Sequence, residues 1–127
     1  MDKNISILVT DDNESIRIVI RRILEKKGYQ NVYEVGDGMS AFQLLKSQKI
    51  DLIIADWNMP VMSGIELLKK VRQDNEISKT PFIVVSVEGL DVSMETAFQS
   101  GVSDFISKPF TAEALIASLE KVMPGSI

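Results

Sequence analysis

Short apolar runs and one-faced apolar stretches alternate along the whole chain. Ile5-Ser-Ile-Leu-Val-Thr10 is rich in β-branched residues and stops at Asp11-Asp12-Asn13, the pattern of a buried strand. Ile16, Val19, Ile20, Ile23 and Leu24 then recur at the spacing of one helix face, and Gly28 supplies a stop. Val32 to Val35 predicts a second strand closed by Gly36-Asp37-Gly38, and Ala41, Leu44 and Leu45 mark a second helix. A third strand runs from Ile50 to Ala55 and stops at Asp56; after the breakers Pro60, Ser63 and Gly64, the residues Leu67, Leu68 and Val71 predict a helix. Pro81 opens a fourth strand, Phe82 to Val85, which ends at Ser86 and precedes a weakly patterned helix from Asp91 to Ser100. Val102 to Ser107 is a fifth strand, stopped by Lys108-Pro109, and Thr111 caps a last helix with Leu115, Leu119 and Val122 inward.

The order is strand then helix, five times over. Strands this apolar require cover on both faces, which implies an α/β fold with a parallel sheet and helices on each side. Right-handed crossovers make that sheet doubly wound. No linker, repeat or low-complexity stretch interrupts it. The expectation is one domain over residues 1–127, with its core at about 5–123 and no attached output domain. A chain of 127 residues buries roughly two thirds of its unfolded surface and needs no covalent staple.

Composition narrows the chemistry. There is no Cys and no His, so disulfides, thiolate metal sites, Cys nucleophiles and His-dependent triads are excluded. A net charge of −4 argues against nucleic acid as a partner. The apolar runs are far too short to span a bilayer, and Asp11-Asp12 cuts the first one too early for a signal peptide, so the expectation is a cytoplasmic protein with no membrane insertion.

Ligands of open parallel sheets bind beyond the carboxyl ends of the strands. At that edge the sequence places Asp11 and Asp12 after strand one, Asp56 after strand three, Ser86 after strand four and Lys108 after strand five. Each has an ordinary explanation in isolation. Asp11, Asp12 and Asn13 suit a helix cap, Asp56 an Asx turn, Ser86 a turn hydroxyl and Lys108 a solvated strand end. Together they form a different object. Three neighbouring carboxylates need a counter-charge, and Mg²⁺ takes one or two carboxylates while completing its shell with water and phosphate oxygens. Asp56 then suits a phosphoryl-accepting nucleophile, Ser86 a donor to a phosphoryl oxygen, and Lys108 with Mg²⁺ the positive charge.

These residues carry a resemblance. Asp56-Trp-Asn-Met-Pro-Val-Met-Ser-Gly64 followed by Ile65-Glu-Leu-Leu-Lys69, with Asp11-Asp12, Gly36-Asp37-Gly38 and Lys108-Pro109-Phe110 in this order and at these spacings, resembles response-regulator receiver domains, and among them the CheY-like chemotaxis type, over residues 5 to 123. The resemblance implies a flavodoxin-like sheet in the order 2-1-3-4-5. It implies that Asp56 is the phosphoacceptor, with Asp11 and Lys108 beside it. Mg²⁺ would be held by the side chains of Asp12 and Asp56, by the backbone carbonyl of Asn58, and by Asp11 through water. Lys108–Pro109 would be cis. Ser86 and Phe105 would form the switch, and Asn58, Val87 and Glu88 would modulate the chemistry.

Two departures stand out. Val87 follows the switch serine where a smaller residue is usual, which puts donor preference and hydrolysis rate in doubt, and Phe105 stands where the CheY type has Tyr. Thr10 precedes the acidic pair where an apolar residue is usual, and nothing follows from it by sequence. The resemblance implies a histidine kinase as phosphodonor, slow self-dephosphorylation, and an output made by protein contact, to a flagellar motor switch or another effector, by a monomer. Leu90, Met94, Phe98 and Phe105 are the candidate partner face; the last three form an exposed apolar patch if Ala97 and Gly101 supply the close core packing, and otherwise Met94 and Phe98 pack into the core. A phosphate-sink or relay receiver, and a Mg²⁺-dependent aspartyl-phosphate phosphohydrolase, stay open as alternatives, although such hydrolases place their nucleophile after the first strand.

Overall fold

A computed structural model describes residues 3–87 and 94–123. Ten elements alternate: β1 (Ser6–Thr10), α1 (Glu14–Lys26), β2 (Asn31–Val35), α2 (Gly38–Ser47), β3 (Leu52–Asp56), α3 (Gly64–Gln73), β4 (Phe82–Ser86), α4 (Met94–Ser100), β5 (Asp104–Ser107) and α5 (Ala112–Val122). The strands form one parallel sheet in the order β2-β1-β3-β4-β5. The fifth strand begins two residues later than its apolar run. The third begins at Leu52 and runs on through Asp56, so the candidate nucleophile closes the strand.

Alternation within the strands divides the core in two, because successive side chains point to opposite faces. Leu8, Ile53, Ala55, Phe82, Val84 and Phe105 pack beneath α2, α3 and α4. Ile7, Val9, Leu52, Ile54, Ile83, Val85 and Ile106 pack beneath α1 and α5, on Ile20, Leu24, Leu115 and Leu119. β1, β3 and β4 are buried throughout or nearly so, which is why they read as unbroken apolar runs. The edge strand β2 is partly open, and Tyr33 on it is among the exposed large hydrophobic residues.

Capping fixes where the helices start, and hence how the loops at the carboxyl edge are aimed. The Asn13 side chain accepts from the N–H groups of Ser15 and Ile16, and Asp37 accepts from that of Ser40. Ser63 and Glu66 form a reciprocal capping box at α3, and Thr111 caps α5. Among the described residues, no helix is long and apolar enough to cross a membrane.

Candidate functional site

The first acid, Asp11, leaves β1 at its carboxyl end and is held on every side. Its N–H donates to the Val35 carbonyl (3.3 Å), its Oδ1 accepts from the Asn13 N–H (2.9 Å), and its own carbonyl accepts from Arg17 Nη1 (2.6 Å). Asp11 is 2 % exposed, whereas Asp12 faces solvent. β3 delivers Asp56 to the same spot because its register with β1 pairs Ala55 with Thr10. One carboxylate oxygen from each of Asp11, Asp12 and Asp56 lies within 4.8 Å of the others. Lys108, arriving from β5 on the far side of β4, places its Nζ 3.2 Å from Asp11 Oδ2 and 3.5 Å from Asp56 Oδ1.

Electrostatics follow from that packing. Burial, and then the Asp11 carboxylate, push the pKa of Asp56 above the ordinary carboxylate value. Lys108 and the backbone N–H groups of Asn58 and Trp57 pull the other way without cancelling the shift. A single ammonium therefore leaves the pocket short of positive charge. All-oxygen donors, one of them at the surface, suit a small hard divalent cation that keeps part of its water. Asn58 is exposed in the loop that follows, with its N–H bonded to Asp56.

Ser86 ends β4 and is 1 % exposed; its carbonyl accepts from the Lys108 N–H at 2.8 Å, which joins the β4 and β5 ends of the site. The Lys108–Pro109 peptide is cis. Val87 is half-buried and lines a cavity of about 520 Å³ with Ile16, Val19, Ile23, Lys108, Pro109, Phe110 and Ala112. Its bulk thus lies against α1 and the β5–α5 turn, beside the Lys108 arm of the site.

The expected patch of Met94, Phe98 and Phe105 needs correction. Phe98 is 41 % exposed, but Phe105 is 7 % exposed and packs in the core with Val84 and Ala97. Parity on β5 explains this: Ile106 faces α5, so Phe105 must face the α4 side. Met94 begins α4, and its side chain, like Glu88 and Leu90, lies outside the described residues.

Two features had no sequence signal. The hydroxyl of Thr10, buried at the end of β1, donates to Met59 Sδ (3.3 Å) and lies 3.4 Å from the Asp37 carbonyl, tying β1 to both loops that frame the acids. The β3–α3 loop also holds a backbone outlier. Val61 has φ 68°, and the Met62 N–H donates to the Pro60 carbonyl at 2.7 Å, which is a tight three-residue turn strained for a β-branched residue. Trp57, Met59 and Met62 bury their side chains around it, so the loop is anchored on both sides of the strain.

The chain is similar to known proteins. Residues 7–120 match the family model for the response regulator receiver domain. The chain is 38 % identical over 122 residues to chemotaxis protein CheY-3 of Vibrio cholerae, covering 96 % of this chain and 94 % of that protein. It is 40 % identical over 118 residues to a CheY homolog of Campylobacter jejuni, covering 92 % and 91 %. Among solved structures, CheY4 of Vibrio cholerae superposes with a TM-score of 0.84 at 33 % identity, over 94 % of this chain and 98 % of that one. The receiver domain of a Pseudomonas aeruginosa sensor histidine kinase, solved with a magnesium ion in its active-site cleft, superposes with a TM-score of 0.85 at 28 % identity, over 94 % of this chain. With the sheet order, the acidic trio and these matches in agreement, the chain belongs to the response regulator receiver domain family and is of the CheY type.

Proposed function

We propose that this chain accepts a phosphoryl group on Asp56 from a phosphohistidine of a histidine kinase and passes the signal on by protein contact, in chemotaxis-type signalling. The observation that carries this is the Lys108 ammonium held 3.5 Å from Asp56 and 3.2 Å from Asp11, in a pocket of three acids. A buried acid already contacted by an ammonium is poised for a reaction that brings in more negative charge.

Asp56 Oδ attacks phosphorus as the bond from phosphorus to the donor's imidazole nitrogen breaks. The electron pair of that bond stays on the nitrogen, and the product is an acyl phosphate on Asp56. Asp12, Asp56, the Asn58 carbonyl and, through water, Asp11 would hold a Mg²⁺ ion here, and its charge would stabilise the phosphoryl oxygens. The Lys108 ammonium follows the charge from carboxylate to phosphoryl oxygen, and Asp11 keeps it aimed. Ser86 offers a hydroxyl donor from the end of β4. Water attack at phosphorus later returns Asp56 to the free carboxylate.

The bound group carries close to two negative charges and three acceptor oxygens, which draw Ser86 and Lys108 inward. Movement of Ser86 changes the space beneath α4 and biases Phe105 between inward and outward positions, of which the structure shows the inward one. The face of α4, β5 and α5, with Phe98 exposed on it, is then the output surface for a flagellar-switch-like or other effector protein. Supporting this reading are the CheY-type relatives and the acidic trio. Incubation with a small acyl-phosphate donor tests it. Wild type labels in the presence of Mg²⁺; chelation of the metal and Asp56→Asn each abolish labelling, and labelling that survives either would refute it.

A further inference from the structure

We infer that Arg17 is a positioning residue for the metal-binding acids, an inference that rests on the Mg²⁺ reading above. Asp12 is exposed, and its carboxylate has no hydrogen bond or ion pair among the described residues, so its aim is set by its backbone alone. The peptide that carries it begins at the Asp11 carbonyl, and Arg17 grips that oxygen through Nη1 at 2.6 Å. The guanidinium is itself fixed: Nε donates to Glu34 Oε1 at 3.3 Å on β2, and Glu34 is also paired with Arg21 one helical turn further on. Arg17 and Glu34 are each only 16 % exposed, so the link is shielded from water. Gly36 lies alongside: a β-carbon built there would stand 3.4 Å from Arg17 Nη1, an ordinary contact. The chain thus runs from β2 through Glu34 and Arg17 to the peptide between the two acids. Only a planar fork with several donors spans both the carbonyl and the carboxylate.

The sign of the effect separates positioning from charge. Arg17 is a cation near a cation site, so by Coulomb's law alone its removal would tighten Mg²⁺ binding. Loss of a positioning contact weakens it, as for other residues that orient metal ligands. The test is a Mg²⁺ titration followed by the fluorescence of Trp57, the only tryptophan, which adjoins Asp56. Wild type, Arg17→Lys, Arg17→Met and Asp12→Asn are compared at a temperature where circular dichroism shows each to be folded. Arg17→Lys keeps the charge and loses the fork; we expect its Mg²⁺ dissociation constant to rise roughly tenfold, and that of Arg17→Met to rise as well. Affinity unchanged in Arg17→Lys, or tightened in Arg17→Met, while Asp12→Asn weakens binding, overturns the role of Arg17 and leaves the Mg²⁺ site standing. Absence of saturable binding in wild type overturns the Mg²⁺ reading itself, and the inference with it.

Discussion

Lys108 reaches Asp56 across an intervening strand, with Nζ 3.5 Å from Oδ1, although they lie 52 positions apart in the chain, and among the described residues it is the only ammonium paired with Asp56. Neither residue could hold its place alone, since the lysine is anchored by Asp11 and the aspartate is buried by the sheet. Lys108→Met leaves two buried carboxylates without their cation. In metal-free buffer at neutral pH it should lower stability by about 1–3 kcal/mol, while its Mg²⁺ affinity should rise, because the ion no longer competes with an ammonium. Urea unfolding with and without Mg²⁺ measures both effects; a variant as stable as wild type without metal would contradict the reading.

The raised pKa of Asp56 has a definite consequence for stability. Its folded value lies above the ordinary 3.8, so protonation of this group favours the folded state. That contribution is present below the unfolded pKa and is lost as the pH rises through the folded one. Asp56→Asn removes the titration. In metal-free solution the variant should therefore gain on wild type as the pH rises from 3.8 through the folded value, and then hold that advantage. Melting curves across that range check it, and a variant that loses ground with rising pH would show the sign to be wrong.

Gly64 is where the loop after Asp56 turns back onto the strand. A β-carbon there would overlap the Asp56 carbonyl and come within 2.7 Å of Trp57 Cα, both backbone atoms that cannot swing aside. The Gly64 N–H also donates to the Trp57 carbonyl at 2.8 Å. Gly64→Ala should cost roughly 2–3 kcal/mol in chemical denaturation and slow labelling of Asp56, because the carbonyl that must move belongs to the proposed phosphoacceptor.

Ser86→Ala separates accepting a phosphoryl group from responding to it. The serine lies at the end of β4, with its carbonyl tied to Lys108. The alanine variant should still label on Asp56, yet the Phe105 ring resonances, which should shift when wild type is labelled, should stay in place. A full Phe105 response in the variant would disconnect Ser86 from the switch.

The sheet and the acids were legible because they follow from local pattern. Ile53 and Ile54 face opposite cores, so β3 had to be apolar on both sides, and the strand-end rule then placed Asp11, Asp56, Ser86 and Lys108 on one edge. The hydroxyl of Thr10 was illegible because its partners, Met59 and Asp37, come from two loops distant in sequence. Arg17 escaped for a related reason. On a helix it reads as a solvated polar position, and only the fold brings Glu34 and the Asp11 carbonyl within reach of one guanidinium. The burial of Phe105 follows from strand parity: Ile106 beside it faces α5, so Phe105 faces the α4 side of the core.

The most direct test of the central claim is chemical mapping of the modified residue. Borohydride reduces an aspartyl phosphate to homoserine, so the protein is treated with an acyl-phosphate donor, reduced, digested and sequenced by mass spectrometry. Homoserine is expected at position 56, in samples containing Mg²⁺ and not in chelated ones. Homoserine at position 11 or 12, or none at position 56 when Mg²⁺ is present, would contradict it.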